Sequence, residues 1–142
     1  MANYNQILQN GQSVLRTLIY NNATVAAITT KVLDGVPTEL IKGTGFPYII
    51  VHMPRISEDT LRIRRKRVII LSTIEVWDKR ESVVRTLCDA IRQAVVDGDS
   101  SMKAEGFFER NIDSSGLDFT ILTDNTALYT GTITISYKWD EV

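Results

Sequence analysis

The amino-acid sequence predicts an α+β fold. It reads as one two-layer domain over residues 1–142, with helices packed on one face of a mainly antiparallel or mixed β-sheet, in the order ααββαβββ. Three observations predict this. Two long stretches repeat apolar residues every three or four positions, the period of a helix, and others alternate apolar with polar residues, the period of a strand. The last three strand-like stretches follow one another with only turns between them, which suits an antiparallel meander. With 142 residues and 44% apolar content the chain is of a size to bury one core, and no internal repeat or low-complexity tract divides it.

The first helix spans residues 4 to 20, where Tyr4, Ile7, Leu8, Val14, Leu15, Leu18 and Ile19 form a stripe that also contains Gly11, a point of close packing. Asn3 and Gln6 have the spacing of a capping box at its start, and Asn21-Asn22 marks its end. A short second helix is expected from Thr24 to Thr29, and residues 36 to 47, with Pro37, Gly43, Gly45 and Pro47, read as a surface loop. Tyr48 to Met53 is apolar on both faces and rich in β-branched residues, as befits a central strand. Val68 to Trp77 is the next strand, with only the face of Val68, Ile70, Ile74 and Val76 consistently apolar. Asp78 and Glu81 repeat the capping-box spacing before a helix over residues 80 to 96, which Asp97-Gly98-Asp99 ends. Strands are then expected at Gly106 to Ile112, Leu117 to Leu122 and Leu128 to Trp139, with turns at 113–116 and 123–125.

Sixteen basic residues nearly cancel seventeen acidic ones, so no global field draws the molecule to nucleic acid or an anionic membrane. The N-terminus lacks a secretory pattern and no stretch is apolar for long enough to span a bilayer, so no membrane association is expected. The single cysteine, Cys88, has no partner for an internal disulfide, which fits a reducing compartment.

Catalytic chemistry is poorly represented. The only histidine, His52, lies in a strand, no Gly-x-Ser-x-Gly elbow is present, and a partly buried structural histidine is the favoured reading. One cysteine and one histidine make no metal cluster, and the pairs Glu58-Asp59 and Asp140-Glu141 read as solvated faces. Gly43-Thr44-Gly45 precedes a strand and lacks the Gly-Lys-Ser/Thr ending of a phosphate loop, while Asp97 to Ser101 lacks the spacing of a calcium loop and reads as a helix exit. No catalytic residue, metal or cofactor is expected.

The main local anomaly is basic. Arg62, Arg64, Arg65, Lys66 and Arg67, preceded by Arg55, lie between two apolar strands and form a hairpin arm at about 55–67. Arginine suits contact with phosphates or with an acidic patch on another subunit, and a merely solvated tip is the third possibility. These six residues are the candidate subunit-interface or channel-facing residues.

Several motifs carry a resemblance over nearly the whole chain. Ala23-Thr24-Val25-Ala26-Ala27-Ile28, then Val32 to Pro37, then Gly45-Phe46-Pro47-Tyr48-Ile49-Ile50-Val51, then Ile74-Glu75-Val76-Trp77-Asp78 and the helix through Ala94 resemble the tail terminator, or tail completion, proteins of long non-contractile-tailed phages. The resemblance implies a virion protein assembled in the host cytoplasm and placed at the head–tail interface. There it would form a homo-hexameric ring on the last layer of tail tube protein, end tube growth and receive the head connector, or stopper, with DNA passing through the ring. The dense basic tip and the long C-terminal meander depart from the family pattern. Another neck protein, such as a head completion protein, and a small nucleic-acid-binding module using the basic arm are the alternatives.

Overall fold

The computed structural model describes residues 4–35, 45–62, 65–121 and 127–141, and they form an α+β unit built on one mixed sheet. The elements are α1 (Tyr4–Tyr20), α2 (Ala23–Ile28), β1 (Val32–Leu33), β2 (Tyr48–Val51), β3 (Arg55–Arg62), β4 (Arg65–Asp78), α3 (Glu81–Asp97), α4 (Asp99–Ala104), β5 (Phe108–Ile121) and β6 (Ala127–Glu141). The strand order is β1-β2-β4-β6-β5, with β3 also paired to β4. Among the described residues only β1 and β2 pair in parallel.

The helices lie over one face. Val68, Ile70, Ile74 and Val76 of β4 and Ile133, Ile135 and Tyr137 of β6 are buried with Leu15 and Ile19 of α1 and Val84, Leu87, Ile91 and Val95 of α3. Residues of opposite parity, Ile69, Leu71, Thr73, Glu75 and Trp77, remain half-buried, so only one side of β4 is fully dry. Two glycines set the helix-to-sheet distance. A Cβ on Gly11 of α1 would lie 2.3 Å from the Tyr137 hydroxyl, and one on Gly131 of β6 would lie 2.3 Å from Cys88 Sγ of α3. Two polar side chains tie α1 to the short strands: Gln12 Nε2 donates to Val51 O at 2.9 Å and Arg16 Nε to Val32 O at 2.9 Å.

The strand at Tyr48 is not central but second from the edge, flanked by β1 and β4 and buried along its whole length, and it ends at Val51, leaving His52 and Met53 beyond it. Several expected boundaries change. Asn22 does more than end α1, because its side chain accepts from the N–H groups of Thr24 and Val25 and so caps α2. Asp78 does not cap α3. Its Oδ2 accepts from Arg80 N at 2.8 Å, Arg80 holds the cap position without a capping side-chain bond, and Glu81 pairs forward with Arg85. The expected exit at Asp97-Gly98-Asp99 is a junction, since α4 starts at Asp99.

The C-terminal region is a hairpin of two long strands instead of a three-stranded meander. Pairing with β6 continues from Ile112↔Ile135 to Ser114↔Thr134 across the expected 113–116 turn, and a register shift there absorbs the irregularity. Polar, glycine-containing composition favours a turn locally, but the ladder with β6 continues through the segment, pairs its inner backbone groups and wins. Asn3, residues 36–44 with Pro37 and Gly43, and the 123–125 turn lie outside the described residues.

Candidate subunit interface

Two surface regions lie at opposite ends of the β4–β6 ladder. The first is the end of the β3–β4 hairpin. Arg62 pairs with Arg65 at the last described rung, and Leu61 with Lys66. This hairpin is not a free arm, because β6 runs along the other side of β4 as far as Lys66↔Glu141. The described part of the basic segment, up to Arg62 on β3 and from Arg65 on β4, therefore lies at a corner of the sheet.

The candidate cations differ in placement. Arg55 opens β3 opposite Leu71 and is exposed. Arg64 lies outside the described residues, as do the side chains of Arg62, Arg65 and Lys66. Arg67 is engaged within its own chain: it faces Asp140 across the ladder and donates from Nε and the guanidinium Nη2 to the two carboxylate oxygens at 2.8 and 2.9 Å. It also lies 5.1 Å from the centre of the Phe108 ring. Hydrogen bonding to Asp140 raises the Arg67 pKa above its ordinary value. Nearby, Lys138 pairs with Glu109.

The second region was not anticipated from sequence. Leu117, Phe119 and Ile121 of β5 face Gly131, Tyr129 and Ala127 of β6 in register, and so share the side of the sheet that Gly131 presents to α3. There α3 packs chiefly on β4 and β6, while β5 is the outermost strand of the sheet and α4 contacts it. The three β5 side chains are consequently 39%, 59% and 63% exposed. Together with Glu81, Asp118 and Tyr129 they line a hollow of about 530 Å³, and a second hollow beside Leu117 continues along α3 past Arg85, Cys88 and Asp89. The signal lay in the alternation Leu117, Asp118, Phe119, Thr120, Ile121, but it does not reveal that these three side chains stay exposed.

His52 Nε2 stands 3.1 Å from Glu75 Oε1, and the other oxygen of Glu75 accepts from Trp77 Nε1 at 2.9 Å. The backbone N–H of His52 donates to Thr73 O. Among the described residues no three His, Cys, Asp or Glu side chains gather as metal ligands, and no helix is long and apolar enough to cross a membrane.

Neither a protein-family model nor a curated protein matches the chain. Among solved structures, the fold is similar to that of a chain in the virion of a native gene transfer agent particle, with a TM-score of 0.64 at 14% identity, covering 89% of this chain and 92% of that one.

Proposed function

We propose that this chain is a structural virion protein that forms a hexameric ring on the head-proximal end of a phage tail tube. There it ends tube polymerisation and offers the docking surface for the head connector, acting through protein contacts and not catalysis. The observation that carries the reading is the fold shared along nearly the whole chain with a component of a gene transfer agent virion. It is supported by the tail-terminator-like segments at Gly45 to Val51 and Ile74 to Ala94. Two unlike surfaces at opposite ends of the sheet also suit head-to-tail association, in which each protomer uses two different patches and the rotation closes into a ring.

The test mixes purified chain with polymerising tail tube subunits and images the products by electron microscopy. Six-fold caps at one end of the tubes, with growth halted, are expected. Tubes that elongate uncapped overturn the reading, and retention on portal with none on tube points instead to another neck protein.

A further inference from the structure

We infer that the groove between α3 and the edge strand β5 receives the basic β3–β4 hairpin end of a second copy of this chain. The inference rests on the ring reading and names the contact that would build the ring.

The groove has an apolar floor and an acidic rim. Leu117, Phe119 and Ile121 supply the floor, left exposed because α3 packs chiefly on β4 and β6 and only borders the outermost strand. Glu81 and Asp89 of α3 and Asp118 on the β5 edge supply the rim, where Arg85, the one cation among the described lining residues, is held by Glu81 at 2.6 Å. Asp118 has opposite parity to the floor residues, and its Oδ1 accepts the N–H of Phe119, which keeps its carboxylate along the β5 backbone at the groove's edge. Among the described residues β5 pairs only with β6, so its outer edge also offers backbone donors and acceptors.

The hairpin end has the complementary composition. Leu61-Arg62-Ile63-Arg64-Arg65-Lys66 sets two apolar residues among four cations, matching an apolar floor inside an acidic rim. Distance then separates a second copy from the same chain. The hairpin end lies where Lys66 meets Glu141, and the groove lies at Tyr129 of the same strand. About a dozen extended residues, roughly 40 Å at ~3.3 Å each, part them. One copy's hairpin end cannot fill its own groove, so each copy has a donor end and an acceptor groove, as a closed head-to-tail ring requires.

The test is a charge reversal with compensation, read by native mass spectrometry and by electron microscopy of tube ends. Asp89→Lys with Asp118→Lys reverses the rim at two exposed positions, and Arg64→Glu with Arg65→Glu reverses the hairpin end. Each pair alone is expected to weaken ring formation by roughly tenfold or more, and all four together to restore it to within a few fold. Circular dichroism and thermal melting establish that each variant is folded. Rings unaffected by either reversal overturn this contact and leave the ring reading standing. Rings lost in each pair and not recovered in the fourfold variant overturn the hairpin end as the occupant. A hairpin reversal that abolishes retention of duplex DNA while rings persist overturns it too. Wild-type protein that never forms rings, alone or on tubes, removes the ring reading itself.

Discussion

The hydroxyls of Ser72 and Tyr137 meet 2.7 Å apart in the buried core, joining the two central strands β4 and β6 from the face that α1 covers. Burial pushes the Tyr137 phenol above its ordinary pKa, so it stays protonated, with Ser72 as its hydrogen-bond partner. Neither hydroxyl is dispensable alone, since removing one strands the other away from water. Ser72→Ala and Tyr137→Phe are each expected to destabilise by ~1–3 kcal/mol, and the double variant by less than the sum. Urea unfolding of all four proteins gives the coupling, and strictly additive losses would count against the bond.

Gly11 and Tyr137 make a second, steric pair. A methyl at Gly11 would stand 2.3 Å from the phenol oxygen but 3.2 Å from the ring carbon behind it, so the clash is almost entirely with the hydroxyl. The ring cannot easily turn away, being held by Ser72 and by edge-on contact with Phe107 at 4.9 Å between centroids. Gly11→Ala would otherwise gain about 0.5–1 kcal/mol in a helix interior. It is expected instead to lower stability in the wild-type background by ~1–3 kcal/mol and to do so much less in Tyr137→Phe. Equal losses in both backgrounds, measured as unfolding free energies, would refute the contact.

These contacts show which parts of the molecule the sequence makes legible. Apolar stripes on residues 4 to 20 and 80 to 96 locate α1 and α3 because a helix face writes its burial every three or four residues, and Gly11 on the first stripe correctly marks close packing. The alternation of Gly131 to Trp139 likewise locates β6. What is lost is decided by partners distant in sequence. The turn-like Asp113 to Gly116 runs straight because β6 continues beside it, and β1, two residues long, exists through its pairing with Ile49 and Ile50. The same limit applies to the interface. The cations at 55–67 are visible as a composition, but Arg67 is drawn inward by Asp140, which lies 73 residues away in the chain. The apolar groove depends on how α3 sits beside β5, which no local pattern records.

Gly131 carries the closest approach of α3 to the sheet. An added methyl would meet Cys88 Sγ at 2.3 Å and Val84 Cγ1 at 2.9 Å, and both atoms belong to a helix packed on two strands. Gly131→Ala should therefore lift the first half of α3, with a loss of ~1–3 kcal/mol. Faster amide hydrogen exchange from Val84 to Cys88, with α1 unchanged, is the expected signature. Uniform protection with an unchanged unfolding midpoint would show that the sheet yields instead.

Cys88 reports on the same packing through its chemistry. Burial first, and Asp89 second, push its thiol from 9.0 up to about 11. The thiolate is the reactive form, so near pH 8 the folded protein should be alkylated roughly a hundredfold more slowly than the unfolded chain from this shift alone. Gly131→Ala, by opening the contact, should narrow that gap. The raised pKa also has a sign for stability. Below pH 9 both states hold the proton and the shift has no effect on the pH dependence. Between pH 9 and 11 the unfolded chain loses it first, so stability falls as pH rises through that window. Cys88→Ser should flatten this part of the alkaline slope while leaving the contribution of Tyr137, which has the same sign and begins near pH 10. Urea midpoints at pH 8, 9 and 10 for wild type and Cys88→Ser provide the measurement, and identical slopes would show that the thiol ionises as freely in the folded protein as in the unfolded one.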